Sequence, residues 1–327
     1  MKVSPAPNAA AGMTLPVTPV WLRRALGSDR ALAGQDIADI AILTGAAIGA
    51  LDALVRHQAP WQGLWRQRLA MASAEMTARQ VGRTEDEAAL RDAVLLTRPG
   101  DDVGPGGRLF LGWQLLAILP AGELLKHKNL GALLKNFGYP YDDDAVAALA
   151  DDVQQLAQSS GIADNLSHAF AISQRHGLGP AIGAFIADAL LAQRLGWERA
   201  VPLLGAEDLP RRSARRSKNS AAITEHEAPA DDGRKLLVAQ ARAALRAIDL
   251  SAMLAHRGQR LLAVAPKLRA KVSDSVVELL LSEDAIVASR HIAGISDRGL
   301  RRMFDRLIEL GAVRELTGRP TFRIYGL

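Results

Sequence analysis

Ile37, Ile40, Ala41, Thr44, Ala47, Ile48, Leu51, Leu54 and Val55 follow one another at three- and four-residue steps. That period stacks the apolar groups on one face of a helix and does not fit a strand. Pro60 closes the segment. Trp61, Leu64, Trp65, Leu69, Ala72 and Met76 then repeat the step. Thr84, with Glu87 three residues on, reads as a capping box opening a helix whose apolar side is Ala88, Leu90, Ala93, Val94 and Leu95. Further helices are predicted at 105–119, 142–159, 162–176 and 179–196, separated by Gly and Pro. Only 4% of residues are aromatic, so the 49% apolar share is mostly Ala, Leu, Ile and Val, a composition suited to helices rather than β-sandwiches. The expectation is a mainly α protein, with an N-terminal bundle of seven or eight helices.

A chain of 327 residues can bury a large core as one or two domains. Without cysteine it has no disulfide framework and no thiolate nucleophile or ligand. The proline-rich N-terminus lacks the apolar core of a secretory signal. Ile40–Leu51, bracketed by Asp39 and Asp52, is about half of the roughly 20 residues that cross a bilayer. It reads as a buried helix, and the default expectation is a cytoplasmic protein without a membrane partner.

Charge and composition divide the chain. Residues 1–18 are small, proline-rich and aperiodic, and are expected to be disordered. Residues 19–204 form the helical domain; within 1–204, 18 Lys/Arg face 20 Asp/Glu. Residues 205–233 lack an apolar face and read as a flexible linker, in which Arg211, Arg212, Arg215, Arg216 and Lys218 are either a phosphate grip or a solvated charge run. Residues 234–271, expected as helices near 234–255 and 258–270, carry nine Lys/Arg against one acid and suggest an anionic partner. Residues 272–327 are balanced, eight against eight.

That last segment has a distinctive order. Ser273–Leu281 is apolar and helical, 285–289 and 290–294 are expected as a second short helix and a third piece, and Ser296 caps a helix to about Leu310. Leu300, Met303, Phe304, Leu307 and Leu310 form its inner stripe; Arg298, Arg301, Arg302, Asp305 and Glu309 form its outer face. Gly311 is a natural stop. Residues 312–316 and 321–325 alternate around the Gly-containing turn 317–320 and predict a two-stranded β-hairpin. This order, with the phrase SDRGLRRMFDRLIELGAVREL, resembles the winged helix-turn-helix of bacterial regulators. The resemblance implies double-stranded DNA as partner. Arg298, Arg301 and Arg302 would enter the major groove, Arg319 at the hairpin tip would touch backbone or minor groove, and Ser296 with its helix N-terminus would hold a phosphate. Asp305 and Glu309 offer the opposing reading, in which they pair with Arg301 and Arg302 at i, i+3 and i, i+4.

Elsewhere, Glu85, Asp86 and Glu87 with Asp101 and Asp102 could bind a divalent ion, or form a charged first turn with Glu87 paired to Arg91. Asp142–Asp144 opens another helix and has the same charged-first-turn reading. His168 and His176 are eight apart, too far for a shared site on one helix. No Walker loop, GxGxxG after a strand, HExxH or GxSxG occurs, and no catalytic residue, metal or cofactor is assigned.

Trp65–Trp113, LAQRLGWERAVPLL (Leu191–Leu204) and TGRPTFRIYGL (Thr317–Leu327) make most of the chain similar to an uncharacterised bacterial family, the domain of unknown function numbered 1403. That likeness implies no activity and no site residues. The leading expectation is a non-enzymatic DNA-binding or regulatory protein whose helical domain binds a partner or forms a homodimer. The alternatives are a protein-interaction scaffold with a structural winged helix, and a metal-dependent enzyme using the 85–102 acidic region.

Overall fold

The computed structural model describes residues 18–140, 142–158, 161–209, 227–268, 273–318 and 322–327. Met1–Val17, the basic cluster Arg211–Lys218 and Arg319 lie outside them; Thr18, at the edge of the segment expected to be disordered, is buried.

Thirteen α-helices and a small sheet make up the described chain. Ten helices precede the linker region: α1 (Val20–Leu26), α2 (Asp29–Leu32), α3 (Ile37–Arg56), α4 (Gln62–Gln80), α5 (Glu87–Leu95), α6 (Gly104–Ile118), α7 (His127–Asn136), α8 (Asp143–Gln158), α9 (Ile162–Arg175) and α10 (Pro180–Leu195). The sequence reading misses α7, whose short apolar face of Leu130, Leu133 and Leu134 has few turns in which to show a period. It also opens α5 at the wrong residue. The cap is Asp86, whose carboxylate accepts from the Ala89 N–H at 2.8 Å, and not Thr84.

α4 lies at the centre, against α6, α5, α11, α12 and the turn at 204–206. Leu64, Trp65, Ala70, Met71, Ser73, Ala74, Thr77 and Ala78 are all buried, so the helix is covered on most of its surface and a one-face stripe understates it. Trp61, Trp65 and Trp113 are fully buried. The Trp65 indole N–H donates to the Ala247 carbonyl and that of Trp113 to the Thr77 hydroxyl, which satisfies the polar edge of these two rings, whereas the Trp61 N–H is buried without a partner.

The long helix α11 (Glu227–Val264) replaces two expected pieces of chain, the end of the linker and the pair of helices at 234–255 and 258–270. After Pro229 in its first turn, no proline or left-handed glycine interrupts it before the turn at 265–267. Its closest partner is α3. Among the described residues α3 is the one helix long and apolar enough to cross a membrane; here its Ile40, Leu43, Ala47, Leu51 and Leu54 are buried in the core, while Ile37 and Ala41 are exposed. The basic run on α11 is largely consumed within the molecule. Arg234 donates to the Leu32 carbonyl, Arg242 to the Leu26 carbonyl and Asp29, and Arg257 to the Leu327 main-chain oxygen; Arg246 pairs with Glu207.

Beyond α11 come α12 (Ser273–Ser282), β1 (Ile286–Val287), α13 (Asp297–Glu309), β2 (Arg314–Glu315) and β3 (Ile324–Gly326). The short helix expected at 285–289 does not form, and the piece at 290–294 is a turn region that ends, as expected, in Gly294. Ile286 and Val287, a β-branched pair, join a three-stranded antiparallel sheet of order β1-β3-β2. Turns then lead to α13, with Gly294 at φ +85°. The hairpin is present but shorter than expected, and it gains a third strand.

Candidate functional site

Ser296 starts α13. Its hydroxyl accepts from the Gly299 N–H at 3.2 Å, the interaction that makes serine a preferred cap. Leu300, Met303, Phe304 and Leu307 are buried beneath the helix, and Leu310 is half-buried. Phe304 stacks on Tyr325 of β3, ring centroids 4.2 Å apart and planes 10° off parallel, which fixes the rotation of α13 on the sheet. Gly311 ends the helix at φ +63°. With the inner face fixed, Arg298, Arg301 and Arg302 must face outward, and all three are exposed.

The acids expected to neutralise them do not. Glu309 pairs with Arg306 at 2.9 Å, and Asp305 faces Arg323. Among the described residues, no carboxylate lies within ion-pair distance of Arg298, Arg301 or Arg302. The other described arginines of this unit are engaged: Arg290 with Glu283, Arg323 with Glu315 at 3.7 Å, and Arg314 with the Leu327 main-chain oxygen at 3.4 Å. A hydrogen bond that Arg323 donates to the Tyr325 side-chain oxygen, reinforced by Glu315, raises its pKa above the ordinary value. Phe322, beside the sheet, is 67% exposed and has φ +55°.

The sequence reading misses what anchors this unit. Asp284, 5% exposed, sits between two arginines from the helical bundle. Arg91 of α5 donates from Nε to Oδ2 at 2.5 Å, and Arg68 of α4 approaches Oδ1 at 2.6 Å. Arg68 also donates to the Asp284 and Leu327 main-chain oxygens, at 3.3 and 3.2 Å, and Arg257 reaches the latter at 3.2 Å. Burial pulls the pKa of Arg68 below its ordinary value, and Asp284 opposes that pull. In the sequence Arg91 suggests only a surface pair with Glu87; that contact exists at 3.9 Å and is secondary. The one available signal is that Arg91 adjoins Leu90 on the face α5 buries.

The 85–102 region is spent on local structure. Glu85 pairs with Arg83, Asp86 caps α5, and Asp102 accepts from the Gly104 N–H and from Arg108. Among the described residues, no three His, Asp or Glu side chains converge in a way that could hold a metal ion. His176 lies 2.9 Å from Asp152, and the sequence spacing to His168 has no structural counterpart.

Fold and site together define a mainly helical protein with a small α/β unit, clamped to the bundle, that presents an arginine-bearing helix to solvent. The chain belongs to the family described as protein of unknown function (DUF1403), which matches residues 7–327. No curated protein and no solved structure matches it.

Proposed function

We propose that this protein is a non-enzymatic, nucleic-acid-binding regulator whose α13 lies in the major groove of double-stranded DNA. The observation that carries the reading is the contrast on one helix and its surroundings. Among the described residues, Arg298, Arg301 and Arg302 stand exposed with no carboxylate at ion-pair distance, while Arg290, Arg306, Arg314 and Arg323 each have a partner. Guanidiniums left free on the first half of an exposed helix match the groove-edge and phosphate chemistry of a recognition helix. Helix α12, the packed helix α13 and the β2–β3 hairpin supply the parts of a winged helix, with a turn in place of its second helix. A homodimer through the helical half would set two such helices on successive major grooves.

The test compares wild type with Arg298→Ala/Arg301→Ala/Arg302→Ala in anisotropy titrations of a mixed-sequence duplex at low salt. The reading predicts that the triple variant keeps its thermal stability and binds at least about tenfold more weakly, as expected when several phosphate or base contacts are lost. Equal affinity of the two proteins would contradict it, and would favour a scaffold whose C-terminal unit is structural.

A further inference from the structure

A second feature lies away from α13 and does not depend on the nucleic-acid reading. A half-open cavity of about 630 Å³ lies between the end of α3, the first turns of α4, the end of α6 and the 196–199 turn, with Ser282 of α12 at its rim. Arg56, Arg66 and Arg199 line it, opposed by the single acid Glu198. Arg66 is 6% exposed. Among the described residues, no carboxylate lies within ion-pair distance of it. Its two terminal nitrogens reach only its own helix, at the Gln62 side-chain oxygen (3.2 Å) and the Gln62 carbonyl (3.5 Å). Its Nε is buried without any hydrogen-bond partner. The guanidinium lies 5.8 Å from the Trp65 ring centroid, an attraction much weaker than an ion pair. Burial, helped by repulsion from Arg199 and opposed by weaker attraction to Glu198, pushes its pKa down to about 10.

A buried cation without a counter-ion is costly, and proteins normally pair it. Arg68, two residues along α4, shows the usual solution, with Asp284 against it. At Arg66 the place of that acid is taken by a cavity. The neighbouring cations already have acids of their own: Arg56 pairs with Asp52 and donates to the Leu195 carbonyl, and Arg199 donates to the Ile118 carbonyl and pairs at 3.2 Å with the exposed Glu198, which leaves Arg66 as the cation of the cavity with no acid at ion-pair distance among the described residues. Gln58 and Gln67 add amide donors at the wall, and Trp197 and Ile118 add apolar surface.

We infer that this cavity binds the oxyanion of a small organic phosphate or carboxylate, with Arg66 as its buried anchor and Arg199 as its second cation. The guanidinium's planar fork suits the bidentate geometry of either group. A volume of this size exceeds that of a bare ion, so an organic body would lie against Trp197 and Ile118.

The test is thermal unfolding of the full chain in rising orthophosphate and, separately, rising succinate, at constant ionic strength against sodium chloride. A saturable rise in Tm beyond the chloride control is expected with at least one probe. Response to phosphate alone assigns a phosphorylated ligand, to succinate alone a carboxylate, and to both an unselective oxyanion site. Arg66→Met, which keeps length and removes charge, is expected to abolish the shift. Arg199→Ala, half-exposed at the rim, is expected to weaken it about tenfold, and it carries the test if Arg66→Met fails to fold. No shift with either probe, or a shift undiminished in the folded variants, would overturn the assignment.

Discussion

Asp284 joins two buried guanidiniums from different helices, so its loss leaves two charges in the interior rather than one broken surface contact. Asp284→Ala is expected to cost about 3–5 kcal/mol, the range for removing one partner of a buried ion pair, in urea denaturation monitored by tryptophan fluorescence. A loss below about 1 kcal/mol, typical of an exposed pair, would show that the clamp is not formed. Asp188 of α10 is a second buried acid, with the opposite electrostatics. It is fully buried, and one oxygen accepts from the Leu203 and Leu204 N–H groups at 2.7 and 3.1 Å. Burial outweighs those bonds and pushes its pKa from 3.8 up to about 8. Between those values the folded protein holds a proton that the unfolded chain has released. Asp188 therefore lowers stability as pH rises, by about 1.4 kcal/mol per unit while that difference persists. Asp188→Asn retains an acceptor for both N–H groups and has nothing to ionise. Denaturation midpoints are expected to fall for wild type relative to Asp188→Asn from about pH 4 to 8, the difference losing its pH dependence only below about pH 4. Parallel curves would contradict the assignment.

At the scale of elements, close approaches carry the packing. The turn at 204–206 lies against α4 and α6, and a Cβ on Gly205 would sit 2.3 Å from the Trp113 ring and 2.7 Å from Ser73. Gly205→Ala is thus expected to destabilise by about 1–3 kcal/mol, the usual cost of overpacking a filled core. Gly122→Ala, with nothing within 4 Å, serves as the control. Helices with a long apolar period were legible in the sequence: α3, α6, α8, α9 and α10 lie where the three- and four-residue steps put them, within a residue or two at their ends. The outward face of α13 was equally legible, because the stripe Leu300, Met303, Phe304 and Leu307 leaves Arg298, Arg301 and Arg302 no other side. What escaped depends on partners far along the chain. β1 is two residues long and forms only because β3, nearly forty residues later, offers its edge. Arg66 and Arg68 carry no signal in the sequence, and Arg91 only its spacing to Glu87, because Asp284 and the 196–199 turn that meet them lie more than a hundred residues away along the chain.

On the scale of the molecule, the apolar core runs without a break from Leu22 to Leu327 and includes the last unit along with the bundle. The two ends of the chain are thereby linked. Arg23 of α1 pairs with Asp249 of α11, and Arg68 and Arg257 grip the final residue. Of the nine basic residues at 234–271, Arg234, Arg242, Arg246 and Arg257 serve internal ties, so net charge there is a poor guide to a partner, whereas α13 keeps Arg298, Arg301 and Arg302 for solvent. The central claim is that those arginines meet a polyanion. It is tested most directly by the affinity of the full-length chain for a mixed-sequence duplex as a function of salt. The account predicts that log K falls linearly with log salt, with a slope steeper than about −2, which corresponds to more than two phosphates neutralised at about −0.9 each. Absence of binding at low salt, or a slope near zero, would contradict it.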